Sequence, residues 1–421
     1  MAKPNLALIP AAQGTKLYSV LPSDGSGDFD YTRGSSATRI NAQGLIETVS
    51  NTSSRLNYPL LDGKVVGCPH HLLEPQRTNL LQYSEDFSQS YWTKTNITIT
   101  SNNTISPDGS LNATKLNEAT VSNANFRLRA SGVATTGTNT LSIFAKASER
   151  NWVMLRENAQ TGVYAFFDLK NGTVGQNTAD DAVIEYYGNG WYKLSITDVL
   201  TSVAIDVRIA IADGVDSYNG VIGNGVYVYG FQIEQGSYPT SYIKSNSGNP
   251  TTRIAETANG SGSAATFNDS EGVFMAEISA LANDGTFRVF GLSNGSTSNR
   301  IVFYYSSTTN NIQLLITAGG VVQSELSIIV NDVKTFKKIA IKYKLNDVAL
   351  WVNGFELKTD TSATMPSGLN ELAFDDAIGG DKFYGNTKQL QYFDTTDIDL
   401  EELTSWDSFS DMANGQLYTI E

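Results

Sequence analysis

Short runs of alternating apolar and polar residues, each closed by a glycine- or asparagine-bearing turn, recur along most of this chain. A period of two puts every second side chain on one face of a strand and cannot make the apolar stripe of a helix. Residues 141–146, 191–196, 226–233 and 339–344 carry the pattern most plainly. Residues 191–196 are expected to bury Tyr192, Leu194 and Ile196 together, and 226–233 to gather their aromatics on a single face. Gly188-Asn189-Gly190, Gly223-Asn224-Gly225, Gly319-Gly320 and Asn353-Gly354 supply turns. Asn-Gly between two such runs is the strongest short-range hairpin signal, because both central residues need positive φ. The fold class that follows is all-β, with sandwich or barrel domains.

Composition agrees. Only 17% of residues are charged, and Ser, Thr, Asn and 36 glycines take their place beside 20 Tyr and 18 Phe. β-branched and aromatic strands joined by polar turns have this make-up. Acidic residues outnumber basic ones by 43 to 29, a net charge of −14 that repels phosphate backbones, so no nucleic-acid partner is expected. The lone Cys68 permits no internal disulfide. The start, Met1-Ala2-Lys3-Pro4, leads into an apolar run too short for an export signal, and no stretch is apolar enough to span a bilayer. Synthesis in a cytoplasm and no membrane insertion are the expectations.

A chain of 421 residues exceeds one ordinary core. Residues 1–75 read as an irregular N-terminal arm or attachment region, rich in turns and needing a core borrowed from the next domain or from a neighbouring subunit. Residues 76–250 read as a β-sandwich and 260–421 as a second. The polar stretch between them, around 244–263, reads as a linker with few groups to anchor a core. Only the end suggests a helix, with a capping box at Thr396-x-x-Asp399 and Leu400 and Leu403 on one face.

Several blocks resemble known families. Residues 339–343, 348–354, Gly368-Leu369, Phe383-Tyr384-Gly385, 390–394 and 400–403 resemble a concanavalin-like or laminin-G-type jelly roll. Leu73-Glu74-Pro75-Gln76-Arg77-Thr78-Asn79, Trp92, Gly190-Trp191-Tyr192, 230–234, 238–243 and Thr252-Arg253 are similar to the carbohydrate-binding-module-like sandwiches of phage tail-fibre and other virion surface proteins. Residues 29–39 with Gly44-Leu45-Ile46 match the opening of the same proteins. The resemblance implies a bacteriophage virion structural protein, a fibre or decoration, that displays glycan-binding modules for host attachment. Its implied partners are other virion proteins, a host surface glycan and further copies of itself, a trimer being the expectation for a fibre. A shared sandwich fold carries many functions, so it names no ligand. A lectin-like receptor binder and a polysaccharide-cleaving enzyme remain as alternatives.

Catalytic chemistry is hard to find in the residues. Retaining glycoside hydrolysis uses two carboxylates about 5–5.5 Å apart. The strand around Glu277 offers one, and Asp375-Asp376 and Glu401-Glu402 are adjacent pairs whose side chains diverge. No catalytic residue is assigned. Cys68, His70 and His71 have no second cluster to complete a zinc site. No cofactor is expected, although Asp375, Asp376 and Asp381 have the oxygen ligands that calcium takes. For glycan binding, Trp152 and Trp92 are candidate ring platforms, with Asp376 and Tyr384 as hydroxyl and stacking partners.

Overall fold

The structure, a computed structural model, describes residues 3–9, 12–13, 16–17, 19–157, 162–200 and 203–405. The end of the second sandwich expected at 260–421, residues 406–421, lies outside the described residues. Between residues 93 and 235 the strands form two six-stranded antiparallel sheets. The first runs Thr93–Thr95, Phe126–Val133, Val203–Ala210, Trp152–Glu157, Tyr164–Asp168, Thr173–Asn177. The second runs Ile97–Ile105, Leu111–Glu118, Gly225–Gln235, Thr138–Ala147, Trp191–Val199, Asp181–Gly188. Leu128, Val153, Phe167 and Val207 of the first meet Leu116, Ile143, Leu194 and Val228 of the second in one core.

A second sandwich holds the C-terminal strands. Its eight-stranded sheet orders Phe355–Asp360, Val348–Val352, Lys337–Lys344, Glu271–Ala280, Gly385–Phe393, His70–Leu73 and Leu56–Asn57, with Leu6–Leu8 also on Gly385–Phe393. The facing five-stranded sheet orders Val321–Ile329, Asn311–Ala318, Arg300–Tyr305, Arg288–Ser293 and Glu371–Ala373. Both Gly319-Gly320 and Asn353-Gly354 have positive φ at each central residue, as their hairpins require. The fold is all-β with two sandwiches, and Leu400–Thr404 is the one helix among the described residues. Its N-cap is Asp399, whose carboxylate accepts from the Glu402 amide, so the cap lies one turn beyond the expected Thr396. Leu400 and Leu403 are buried on its inner face.

The N-terminal segment takes its core from the C-terminal sandwich. Leu6, Leu8, Phe29, Tyr31 and Leu73 are fully buried in the core of the C-terminal sandwich, skipping the domain that follows them in sequence. Phe29–Thr32 pairs with Thr257–Asn259, so the strand that looked like linker is a sheet member. Ile46 of the same segment packs on the outer face of the second six-stranded sheet, against Phe144, Trp191, Tyr229 and Tyr242. Two departures from simple alternation stand out on this sheet. Trp191, Lys193 and Ser195 are buried as well as Leu194 and Ile196, because both faces of their strand are covered. The aromatics of Gly225–Gln235 do not share one face: Gly230, with φ of 61°, sits at a bulge that leaves Tyr229 outward and turns Phe231 into the sandwich core.

Candidate functional site

Where the N-terminal segment meets both sandwiches, the motif residues converge on a buried ionic knot. Glu256 accepts from Arg33 at 2.7 Å, from Arg55 at 2.8 Å and from the Glu74 amide at 2.8 Å, with the Tyr31 hydroxyl also donating to it. Glu74 accepts from Arg55 at 2.6 Å, Arg253 at 2.8 Å, and the Ser241 amide and hydroxyl. Thr240 donates twice to Glu234. Burial alone would raise the Glu74 carboxyl; Arg253 and Arg55 outweigh it and hold it far below the usual carboxylate range. Glu256 is likewise held low, Arg55 offsetting its burial. The stretch 244–263 is therefore an anchor rather than a loose linker, since Arg253 and Glu256 have almost no exposed surface.

Beside the knot lies a cleft of about 700 Å³. One wall is the edge strand Asp181–Gly188, whose alternation lines the cleft with Asp181, Val183, Glu185 and Tyr187. The floor is Glu74 with 237–242, including Tyr238 and Tyr242. The N-terminal segment adds Arg39, Asn57 and His70, and the C-terminal sandwich adds Asp284, Lys334 and Asn386. Tyr187 is half-buried and set edge-on to Phe144, 5.0 Å between ring centres. Its phenol is pushed up by burial and by Glu185 and Glu74, so it is a neutral ring with a hydroxyl. Arg77 stands over the Tyr238 ring at 5.5 Å. Burial would raise Asp284, but Arg288, at 2.8 Å, holds it below the usual range, and Ser237 donates to it. Lys193 is spent on the Thr240 carbonyl at 3.0 Å. Aromatic rings and the exposed carboxylates of Asp181 and Glu185 on an otherwise ordered wall suit a ligand that is apolar on its flat faces and polar at its rim.

The residues singled out from sequence do not meet in this cleft. Trp92 is buried in the first sandwich, stacked on Phe231 at 5.6 Å with its indole N–H on the Tyr83 carbonyl, so it is a core residue and no platform. Its aromatic neighbours Phe87 and Tyr91 claim the ring that a sugar would need. Trp152 is half-buried on the outer face of the first six-stranded sheet, with Met154 and Phe166. Asp376 uses its carboxylate to accept the Ile378 and Gly380 amides of its own loop. Tyr384 is half-buried against the C-terminal core, its phenol raised by burial. The calcium candidates are corrected too. Asp375 is buried on Asn259 and the Ala377 amide, while Asp381 is exposed. Among the described residues no three His, Cys, Asp or Glu side chains are grouped to hold a metal. Cys68 is exposed, whereas His70 and His71 are buried in a strand. Tyr187 and Tyr238 were missed. The alternation of 181–187 was a visible signal, but nothing local tells that an edge strand is roofed by a segment more than a hundred residues away.

No family model and no curated protein matches the chain. Solved structures give outline similarities. CBM40 of the Ruminococcus gnavus IT-sialidase, bound to α2,3-sialyllactose, is 14% identical over 33% of this chain and 84% of its own, with a TM-score of 0.29. Mouse laminin α1 domains LG4-5 are 9% identical over 66% and 88%, with a TM-score of 0.24. A Trypanosoma rangeli sialidase is 9% identical over 73% and 62%, with a TM-score of 0.27.

Proposed function

We propose that this chain is a non-catalytic glycan-binding protein, and that the cleft between its two sandwiches holds the sugar. The carrying observation is the lining: the half-buried Tyr187 and Tyr238 rings beside Asp181 and Glu185. Pyranose C–H faces stack on such rings, and carboxylate groups take the hydroxyls. Binding rather than cleavage is favoured by the cleft's deepest carboxylate. Glu74 is ionised and filled by two arginines and Ser241, so it has no proton to give a leaving group.

The resemblance of the motif blocks supports display on a bacteriophage particle, as a fibre or decoration that reaches for host surface polysaccharide. A homo-oligomer, such as a trimer, would raise a weak single-site affinity through effective concentration. A glycan array probed with the full chain tests the binding claim. Tyr187→Ala is expected to lose about ten-fold in affinity for the glycan that the parent retains, the scale of one aromatic contact. Equal binding by the variant, or no retained glycan, would overturn it. Immunogold labelling of particles with antibody to residues 260–421 tests display; unlabelled particles would argue against it.

A further inference from the structure

The other candidate surface is the outer face of the first six-stranded sheet, opposite the side covered by the N-terminal segment. Strand register lays its side chains out in rows. One row reads Thr93, Arg129, Asp206, Arg156, Tyr164; the next reads Thr95, Arg127, Arg208, Met154, Phe166. Four arginines thus surround one fully buried carboxylate. Asp206 accepts from Arg208 at 2.8 Å and from Arg129 through both of its oxygens, one at 2.8 Å. Arg208 also reaches Asp216 at 2.6 Å. Arg127 and Arg156 have no ion pair among the described residues, and the Nε of each is buried without a hydrogen-bond partner. Arg127 sits directly opposite Arg208, an arrangement that costs stability on a sheet face.

A chain with a net charge of −14 has collected surplus guanidinium groups at one place and left a buried Nε unpartnered on two of them. Guanidinium forks match carboxylates in two parallel hydrogen bonds. The same face carries the half-buried rings of Trp152 and Tyr164, Tyr164 lying directly across from Arg156. From this juxtaposition we infer that the sheet face is a second glycan site, specific for acidic sugars, in which Arg127 and Arg156 take the carboxylate of a uronic- or ulosonic-acid residue while Tyr164 and Trp152 take its ring. The inference shares the glycan-binding reading but uses none of the cleft's residues, and it returns Trp152 to a binding role. A densely charged polyphosphate is disfavoured by the chain's acidity.

The test is calorimetry on the full chain with polygalacturonate, and with its fully methyl-esterified form, which keeps the sugar and removes the charge. Binding of the acid with at least about ten-fold loss on esterification is expected, together with a comparable loss in the Arg127→Gln/Arg156→Gln double variant. Tyr187→Ala, in the cleft, is expected to bind polygalacturonate like the parent, so failure of this site and failure of the cleft are told apart. Thermal unfolding guards against a folding defect. Arg127→Gln alone should melt no lower than the parent, because it removes a like-charge contact. Equal binding of the ester, unchanged binding by the double variant, or equally tight binding of a single-stranded oligonucleotide would each overturn the proposal. So would a melting temperature for Arg127→Gln several degrees below the parent, which would mark the arginine as structural.

Discussion

At the residue scale, the junction is held by charges that tolerate no partial removal. Glu256 is enclosed by Arg33 and Arg55, and Glu256→Gln would leave both guanidinium groups short of their counter-charge. Loss of one partner of a buried pair costs about 3–5 kcal/mol, which urea unfolding would read as a lowered midpoint. Next to the knot, burial pushes His71 down to about 4 and His70 down to about 3 from the ordinary 6.5. The sign follows from linkage. Both rings stay neutral in the folded chain, while in the unfolded chain they take up protons below about pH 6.5, so stability is lost as pH falls from there toward 4. Each histidine removes up to about 1.4 kcal/mol per pH unit in that window. The depressed Glu74 and Glu256 carboxyls add loss of the same sign at lower pH. Melting temperature should therefore drop steeply between pH 6.5 and 4.5, and His71→Leu should flatten that slope; an unchanged slope would mean that His71 is not titrating on unfolding. Arg33, Glu74, Glu234 and Arg253 stood in motif blocks of the sequence, whereas Arg55 and Glu256, at the centre of the knot, did not, and only the folded chain brings them together.

At the element scale, strand identity was legible where a two-residue turn signal joins two runs of strand-forming residues. Val348–Val352, the Asn353-Gly354 turn and Phe355–Asp360 stand as read, with φ of 48° and 88° at the turn. Gly354→Val puts a β-branched side chain at a positive φ, at a cost of about 1–3 kcal/mol, and its unfolding midpoint should shift accordingly. A midpoint equal to the parent's would show that the turn can relax. The bulge at Gly230 was not legible, since alternation through residues 226–233 looks unbroken until the chain is seen to switch Phe231 inward. Trp92 was misjudged for a related reason: its exposure depends on Phe231, which the bulge delivers to it.

At the scale of the whole molecule, sequence order and spatial order part company. The first sandwich is self-sufficient, its core drawn from residues between 81 and 233. The second is not, because Leu6, Leu8, Tyr31 and Leu73 complete it. A fragment spanning 80–250 should unfold cooperatively on its own, whereas 260–421 should not unless 1–79 is supplied; a cooperative transition from 260–421 alone would contradict this. The same interleaving makes the cleft, as three parts of the chain contribute walls to it. Its existence could not be read from any one segment, while the all-β class and the turns could. Occupation of this cleft by a glycan is tested most directly by amide hydrogen exchange of the full chain with and without the array-selected glycan. Protection concentrated in residues 181–187 and 237–242 is the predicted result. Protection elsewhere, with those two segments unchanged, would contradict it.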